Sequence, residues 1–78
     1  MEKSEILKLI GKRIKELRIQ NGISQSDLVG RMEGNIDPTN ISRIEAGRTN
    51  PTVITLYRIS EALGVKLIDL LNIEVSES

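Results

Sequence analysis

Apolar residues recur at helical spacing along the chain, in segments that glycine-bearing turns separate. In the first segment they are three and four positions apart, which marks one face of an α-helix over residues 5–20. These apolar residues are Leu7, Ile10, Ile14 and Leu17. Asn21-Gly22 ends this helix, because glycine readily adopts the left-handed conformation of a helix C-terminus. No segment shows the alternating pattern of a β-strand, so the sequence predicts an all-α fold.

The next two helices carry explicit start and stop signals. Ser24 and Asp27 have the spacing of a capping box, in which a hydroxyl and a carboxylate each accept a backbone N–H. Asp37-Pro38 starts the third helix, with Asp37 as N-cap and Pro38 at the first helical position, where its missing N–H costs nothing. Gly47 ends this third helix.

Two further helices complete a compact five-helix bundle. Asn50-Pro51-Thr52 repeats the start chemistry of Asp37-Pro38 and begins the fourth helix, which Gly64 closes. Its predicted inward residues are Ile54 or Val53, with Leu56, Ile59 and Leu63. A fifth short helix over Leu67 to Leu71 is apolar nearly all round. We expect one domain over residues 1–72, followed by a short flexible acidic tail over residues 73–78.

The composition excludes several kinds of chemistry. The 78-residue chain has no cysteine and no histidine, which removes thiol nucleophiles, zinc sites and imidazole acid–base catalysis and fits a reducing cytoplasm. No paired carboxylates fall in a predicted cleft. We therefore expect no enzyme, no cofactor, no metal and no small-molecule ligand. No apolar run approaches the roughly 20 residues of a membrane span, so no membrane partner is expected either.

The charge is unevenly distributed although the formal net charge is zero. From Lys8 to Arg58 the chain has nine basic and five acidic residues, and acidic residues near the two ends supply the balance. A basic body with an acidic tail suits a polyanionic partner better than the total charge suggests. The alternative is an ordinary mixed surface, and charge alone does not separate the two.

The second and third helices, with the glycine-bearing turn between them, have the helix-turn-helix arrangement. At about 100° per residue, Ile41 and Ile44 define the buried side of the third helix. The opposite side carries small residues with one arginine: Thr39, Ser42, Arg43 and Ala46, with Asn40 at its edge. Small residues let a helix enter the DNA major groove, where an arginine can hydrogen-bond guanine through two N–H groups.

Three segments resemble the phage-repressor-like (Xre/Cro-type) helix-turn-helix proteins. They are IGKRIKELRIQNGISQSDL (10–28), ISRIEAGRTNPT (41–52) and LYRISEALGVKLIDLL (56–71), in the family's order. The resemblance implies a lambda-repressor-like five-helix domain, and a cytoplasmic, nucleoid-associated transcriptional regulator or repressor. It further implies a homodimer on a palindromic operator of double-stranded DNA, with recognition helix 38–46 in the major groove.

The family's residue roles carry over to matching positions of this chain. The resemblance implies that Gln25 bonds a phosphate and braces the recognition helix, and that Arg18 and Glu45 form an ion pair between the first and third helices. The helical wheel of the third helix agrees with a partly buried Glu45, because this residue lies about 40° from Ile41, on the flank of the buried side. The remaining implied DNA-binding residues, on the helix and in the loop after it, are Thr39, Asn40, Ser42, Arg43, Arg48, Thr49 and Asn50.

The chain departs from the family pattern between its second and third helices. The connection over residues 32–36 is longer than the usual spacing, and Val29 stands where relatives carry alanine. Pro38 occupies a position where relatives often have a base-reading glutamine or arginine. Since proline cannot hydrogen-bond a base in this way, readout is expected to rest more on Thr39 and Arg43.

The fifth helix is the expected dimer surface, because its apolar residues exceed what one small core can cover. These residues are Leu67, Ile68, Leu70 and Leu71. The alternative is that all four are internal. A rival function from another class is an antitoxin-like or adaptor module whose chief partner is a protein, with DNA binding secondary. The neutral net charge and the acidic tail keep this alternative open.

Overall fold

The computed structural model describes residues 2–33 and 36–74 and contains five helices, with no strand in those ranges. The helices are α1 (Lys3–Gln20), α2 (Gln25–Arg31), α3 (Pro38–Glu45), α4 (Val53–Leu63) and α5 (Leu67–Leu70). The predicted all-α five-helix architecture is confirmed. None of the described helices combines the length and apolar character that crossing a membrane requires.

The predicted starts of α2 and α3 are confirmed by their hydrogen bonds. The backbone N–H of Asp27 donates to the Ser24 hydroxyl at 3.0 Å, and the Ser24 N–H donates to the Asp27 carboxylate at 3.1 Å. Hydrogen bonding of the Asp27 carboxylate, first to the backbone N–H of Ser24 and then to its side chain, lowers the pKa of Asp27, because it favours the charged form. Asp37 accepts the Asn40 N–H at 2.9 Å, and Pro38 occupies the first turn of α3.

The predicted start of α4 at Asn50-Pro51 is wrong. Thr52 is the N-cap, and its hydroxyl accepts the backbone N–H of Thr55 at 3.1 Å. Pro51 therefore precedes the helix instead of occupying its first turn. Both Asn50 and Thr52 have side chains that can cap a helix, and the extended backbone of Thr52 (φ −72°, ψ 162°) gives the cap to the later one.

The core is aliphatic and draws on all five helices. Its members are Ile14, Leu17, Ile23, Leu28, Met32, Ile36, Ile41, Ile44, Leu56, Ile59, Leu63 and Leu70. Besides their contacts with the core, α1 and α5 are tied by a hydrogen bond from Nε of Arg13 to the carbonyl oxygen of Asp69, at 2.9 Å. This bond occupies a carbonyl at the end of α5, which the short helix itself leaves unpaired.

The expectation that Ile54 or Val53 faces the core is wrong. Their side chains are 60% and 67% exposed, whereas Leu56, Ile59 and Leu63 are buried. At about 100° per residue, the three buried residues share one face of α4, and Ile54 falls on the opposite face. Val53 lies on the flank of this face, at the first position of the helix.

The expected partner surface on α5 must also be corrected. Leu70 is completely buried in the core and Leu67 is packed against it, so Leu70 cannot meet a partner. Ile68 and Leu71 remain exposed, at 69% and 46%. The reason is geometric: a single helical turn that is apolar nearly all round still turns one side toward α4 and the other toward solvent. The helix ends at Leu70, one residue earlier than predicted, with Leu71 as its C-cap.

Two sequence predictions fall partly outside the described residues. Of the expected flexible tail over 73–78, residues 73–74 have no regular secondary structure, and 75–78 lie outside the described ranges. The longer connection before α3 includes residues 34–35, which also lie outside them.

Candidate nucleic-acid interface

Helix α3 has a buried side and a polar exposed side, as the helical wheel predicted. Ile41, Ile44 and Glu45 are buried, with at most 8% of each residue exposed. Thr39, Ser42, Arg43 and Ala46 are exposed, and Asn40 is partly buried at the edge. The exposed side therefore presents hydroxyl, amide and guanidinium groups without a large apolar side chain among them.

A buried ion pair fixes α3 against α1. Nε of Arg18 donates to Oε2 of Glu45 at 2.6 Å, and Nη2 donates to Oε1 at 3.0 Å. A third N–H of the guanidinium donates to the carbonyl oxygen of Ile23, at 2.9 Å. Hydrogen bonding to Glu45 raises the pKa of Arg18, against the opposing effect of burial. The structure thus contains the ion pair that the family resemblance implied.

Gln25 joins α2 to the same carboxylate. Its Nε2 donates to Oε1 of Glu45 at 3.1 Å, so Glu45 receives hydrogen bonds from both α1 and α2. The bracing half of the role expected for Gln25 is therefore present. Within the residues described, no buried side-chain nitrogen or oxygen lacks a hydrogen bond, as a rigid polar network requires.

Two glycines allow the backbones of α1 and α3 to approach unusually closely. A Cβ atom at Gly11 would lie 2.6 Å from the carbonyl oxygen of Glu45 and would also meet that of Ile44. A Cβ atom at Gly47 would lie 2.6–2.8 Å from Lys8. The sequence alone assigned Gly11 no role. The available signal was a glycine inside a helical pattern, which costs about 1 kcal/mol against alanine and so implies a packing reason.

The arginines divide into two groups by what their guanidinium groups contact. Arg13, Arg18 and Arg31 hydrogen-bond protein oxygen atoms. Over residues 2–33 and 36–74, the guanidinium groups of Arg43, Arg48 and Arg58 take part in no hydrogen bond or ion pair with the protein. Arg58 lies on α4, whereas Arg43 and Arg48 belong to the predicted interface. Both residues are exposed, on α3 and immediately after it. Their charges are thus available to an external partner.

The loop after α3 continues the polar surface. The backbone N–H of Arg48 donates to the carbonyl oxygen of Arg43 at 2.9 Å, which ties the loop to the last turn of the helix. Arg48 and Asn50 are exposed, and Thr49 is partly buried. The predicted residues of α3 and of the loop are therefore brought together, with Gln25 linked to them through Glu45. In the described part of the chain no group of acidic side chains is placed to hold a metal ion.

Comparison with known proteins places this surface in a family context. A helix-turn-helix family model (HTH_3) matches residues 14–70. The chain is 38% identical over 66 residues to y4dJ, an uncharacterized HTH-type transcriptional regulator of Sinorhizobium fredii, covering 85% of this chain and 83% of that protein. It is 41% identical over 58 residues to multiprotein-bridging factor 1 of Candida glabrata, covering 74% of this chain but only 37% of that protein.

Solved structures show the same architecture. The restriction-modification controller protein C.AhdI from Aeromonas hydrophila superimposes with a TM-score of 0.76 at 26% identity, covering 85% of this chain and 96% of that one. The hypothetical transcription factor NHTF from Neisseria superimposes with a TM-score of 0.80 at 23% identity, covering 94% and 82%. Both the fold and the family match thus agree with the geometry of α2 and α3. The chain belongs to the Xre-like helix-turn-helix family and is a DNA-binding transcriptional regulator, not an enzyme.

Proposed function

We propose that the protein binds a palindromic operator as a homodimer, with α3 of each copy in the major groove. One observation carries this proposal: the exposed side of α3 has small polar side chains and one arginine, Arg43, which has no hydrogen-bond partner in the described protein. The buried side of the same helix is held in place, because Glu45 accepts hydrogen bonds from Arg18 and Gln25. A rigid helix with a low outer profile can lie close to base edges.

Sequence choice rests on the outer side of α3 in this proposal. The guanidinium of Arg43 reads guanine through paired hydrogen bonds, which are worth about 1–3 kcal/mol against a wrong base. Thr39 and Ser42 contribute hydroxyl groups that can donate or accept. Asn40, at the edge of this side, contacts a base or an adjacent phosphate. The side chain of Pro38 cannot form a hydrogen bond, so the first turn of α3 helps to position the helix in the groove more than it reads bases.

Affinity rests on the sugar–phosphate backbone. Arg48, Thr49 and Asn50 contact phosphates from the loop after α3, and Gln25 contacts one from the start of α2. Such contacts set the register of the protein on the duplex and make binding depend steeply on salt. Gln25 can serve here while bracing Glu45, because its amide carries a second N–H and an acceptor oxygen.

Dimerisation is proposed through the exposed part of α5, which carries Ile68 and Leu71. Two copies related by a two-fold axis read half-sites about 34 Å apart, one turn of the double helix. A rival role as a protein-interaction module has one observation in its favour, because α4 exposes three further large apolar residues: Val53, Ile54 and Tyr57. Sedimentation of the free protein and of its DNA complex distinguishes the operator-binding homodimer from the protein-interaction module, since the homodimer requires two copies on each operator.

The test is a pair of arginine variants measured on DNA. Binding sites are first selected from random duplexes, and a scrambled duplex serves as the non-specific probe. Arg43→Ala should lose preference for the selected site, by about 1–3 kcal/mol, whereas Arg48→Ala should weaken binding to both duplexes alike. Arg58→Ala is the matched control, because Arg58 is exposed on α4 and lines a cleft with Arg31 and Glu61. Wild-type binding by both test variants would refute the proposed site.

A further inference from the structure

We propose that Lys8 of α1 is a phosphate-binding residue, so that α1 extends the grip on the DNA backbone beyond the loop after α3. The inference rests on the proposed function, because it places Lys8 beside a loop that itself contacts phosphate. Lys8 lies outside the helix-turn-helix and outside residues 14–70, which the family model matches. It precedes every segment on which the family resemblance rests.

The backbone of Lys8 is fixed against the end of α3. Around Gly47, the Cγ, Cα and N atoms of Lys8 lie 2.6, 2.7 and 2.8 Å from the position that a Cβ atom would take. Three residues further along α1, Gly11 lies on the carbonyl groups of Ile44 and Glu45. The first half of α1 thus follows the end of α3 at backbone contact, and Lys8 lies against the residue that immediately precedes Arg48.

The ammonium group of Lys8 is available to an external anion. Lys8 is exposed, and over the described ranges it forms no hydrogen bond or ion pair with the protein. Two other cations of the same helix are occupied: Arg18 pairs with Glu45, and Arg13 bonds the end of α5. On a helical wheel, Lys8 lies about 60° from Gly11 and about 140° from Arg13, on the flank of α1 next to α3.

Lysine suits a backbone contact in this place. Its ammonium group is a compact charge on a flexible stem and can follow a phosphate without demanding one fixed geometry. Arg48, after Gly47, supplies a second cation directed at the same stretch of DNA backbone. The structural alternative is that Lys8 only balances the negative C-terminal end of the α3 dipole. The alternative predicts lost stability on removal of the charge but no change in the number of counter-ions released by DNA binding.

The experiment measures DNA affinity against salt concentration for Lys8→Gln, with Lys66→Gln at the start of α5 as the charge-matched control. The probes are a duplex selected from random DNA and its scrambled counterpart. Lys8→Gln should weaken binding to both duplexes several-fold. For the bound dimer it should reduce the slope of log K against log salt by about 1.8, because each of the two copies loses one phosphate contact at about 0.9 per contact. Lys8→Arg should keep the wild-type slope.

The outcomes separate this inference from the proposed function. If Lys8→Gln has the slope of Lys66→Gln while Arg48→Ala has a reduced one, the role of Lys8 is refuted and the operator-binding site stands. If none of the Lys8, Arg43 and Arg48 variants alters DNA binding, the proposed function fails as well. A lower melting temperature does not obscure the result, because the salt slope reports released counter-ions and not the folded fraction.

Discussion

Two helix–helix interfaces of this domain, each called a joint below, differ in the interactions that form them: the joint between α1 and α3 and the joint between α4 and α5. At the first, a buried carboxylate accepts hydrogen bonds from Arg18 and Gln25, and Gly11 lies directly on the backbone of α3. At the second, the contacts are aliphatic, with Ile59 and Leu70 completely buried and Leu63 nearly so. Both joints hold a helix, but only the first requires particular atoms at particular distances.

The difference teaches what each joint has to accomplish. Aliphatic packing stabilises through buried area and tolerates changes that keep volume. A bidentate ion pair and a glycine contact depend on angle and distance, so they fix where α3 lies as well as how firmly. The geometry-dependent interactions thus support the helix whose outer side is proposed to read DNA. The area-dependent ones support the helices behind it.

The largest expected effect comes from breaking the buried carboxylate. Glu45→Ala leaves the guanidinium of Arg18 without its ion-pair partner and removes the acceptor of Gln25. Removal of one member of a buried ion pair typically lowers the free energy of unfolding by about 3–5 kcal/mol. Urea denaturation of Glu45→Ala at low temperature measures this loss. In so small a domain this loss approaches the whole free energy of unfolding.

A double replacement shows whether this joint serves position or stability. Arg18→Met/Glu45→Leu removes both charges and fills the space with apolar atoms, a change that often leaves stability unaltered or raises it. We expect most of the stability to return while affinity for the selected duplex stays reduced, because the hydrogen bonds from Arg18 and Gln25 no longer fix the angle of α3. Full recovery of both quantities would show that the ion pair has no positioning role.

Local capping signals predict the starts of α2 and α3 correctly but not the start of α4. The caps at Ser24 and Asp37 need only neighbouring residues, so the sequence predicts them correctly. The start of α4 was mispredicted because two capping residues compete within three positions, and only the backbone around Thr52 decides between them. The helical wheel placed Glu45 inward, and the family resemblance supplied its partner Arg18.

Tertiary distances were not readable from the sequence. Gly11 has its role because two helices approach at backbone contact, which no local pattern records. The sequence does not place Leu70 inside, because the one polar residue of α5, Asp69, lies about 100° from both Ile68 and Leu70 and so does not mark which of them faces water. The DNA contacts of Thr39, Arg43 and Arg48 stay predictions, whereas the placement of these residues at the surface or its edge is observed.

An intermediate effect is expected at the aliphatic joint. Leu70→Ala removes a fully buried side chain between α5 and the core and should lower the free energy of unfolding by about 3 kcal/mol. Leu71→Ala, at a half-exposed neighbour, should cost much less. At a temperature where both variants are folded, Leu70→Ala should bind a DNA half-site with wild-type affinity, because α3 keeps its own supports. A large loss of intrinsic affinity would contradict the division between the two joints.

The smallest stability effect, and the sharpest test of position, is Gly11→Ala. The added methyl group would meet the carbonyl groups of Ile44 and Glu45, which belong to backbone and cannot rotate away. Relief requires α1 and α3 to move apart, at about 1–3 kcal/mol for an overpacked contact. If the close approach positions α3, Gly11→Ala should reduce preference for the selected duplex by more than the loss of folded protein explains. Circular dichroism gives the folded fraction and fluorescence anisotropy gives the DNA affinity, both measured on the same samples.

The matched control for this substitution is Gly30→Ala in α2. A Cβ atom there meets no atom within 4 Å, so the change should stabilise the helix by up to about 1 kcal/mol and leave selectivity unaltered. If Gly11→Ala proves as stable and as selective as Gly30→Ala, the position of α3 does not depend on the close approach of α1 and α3. The contrast between the joints would then reduce to the ion pair alone.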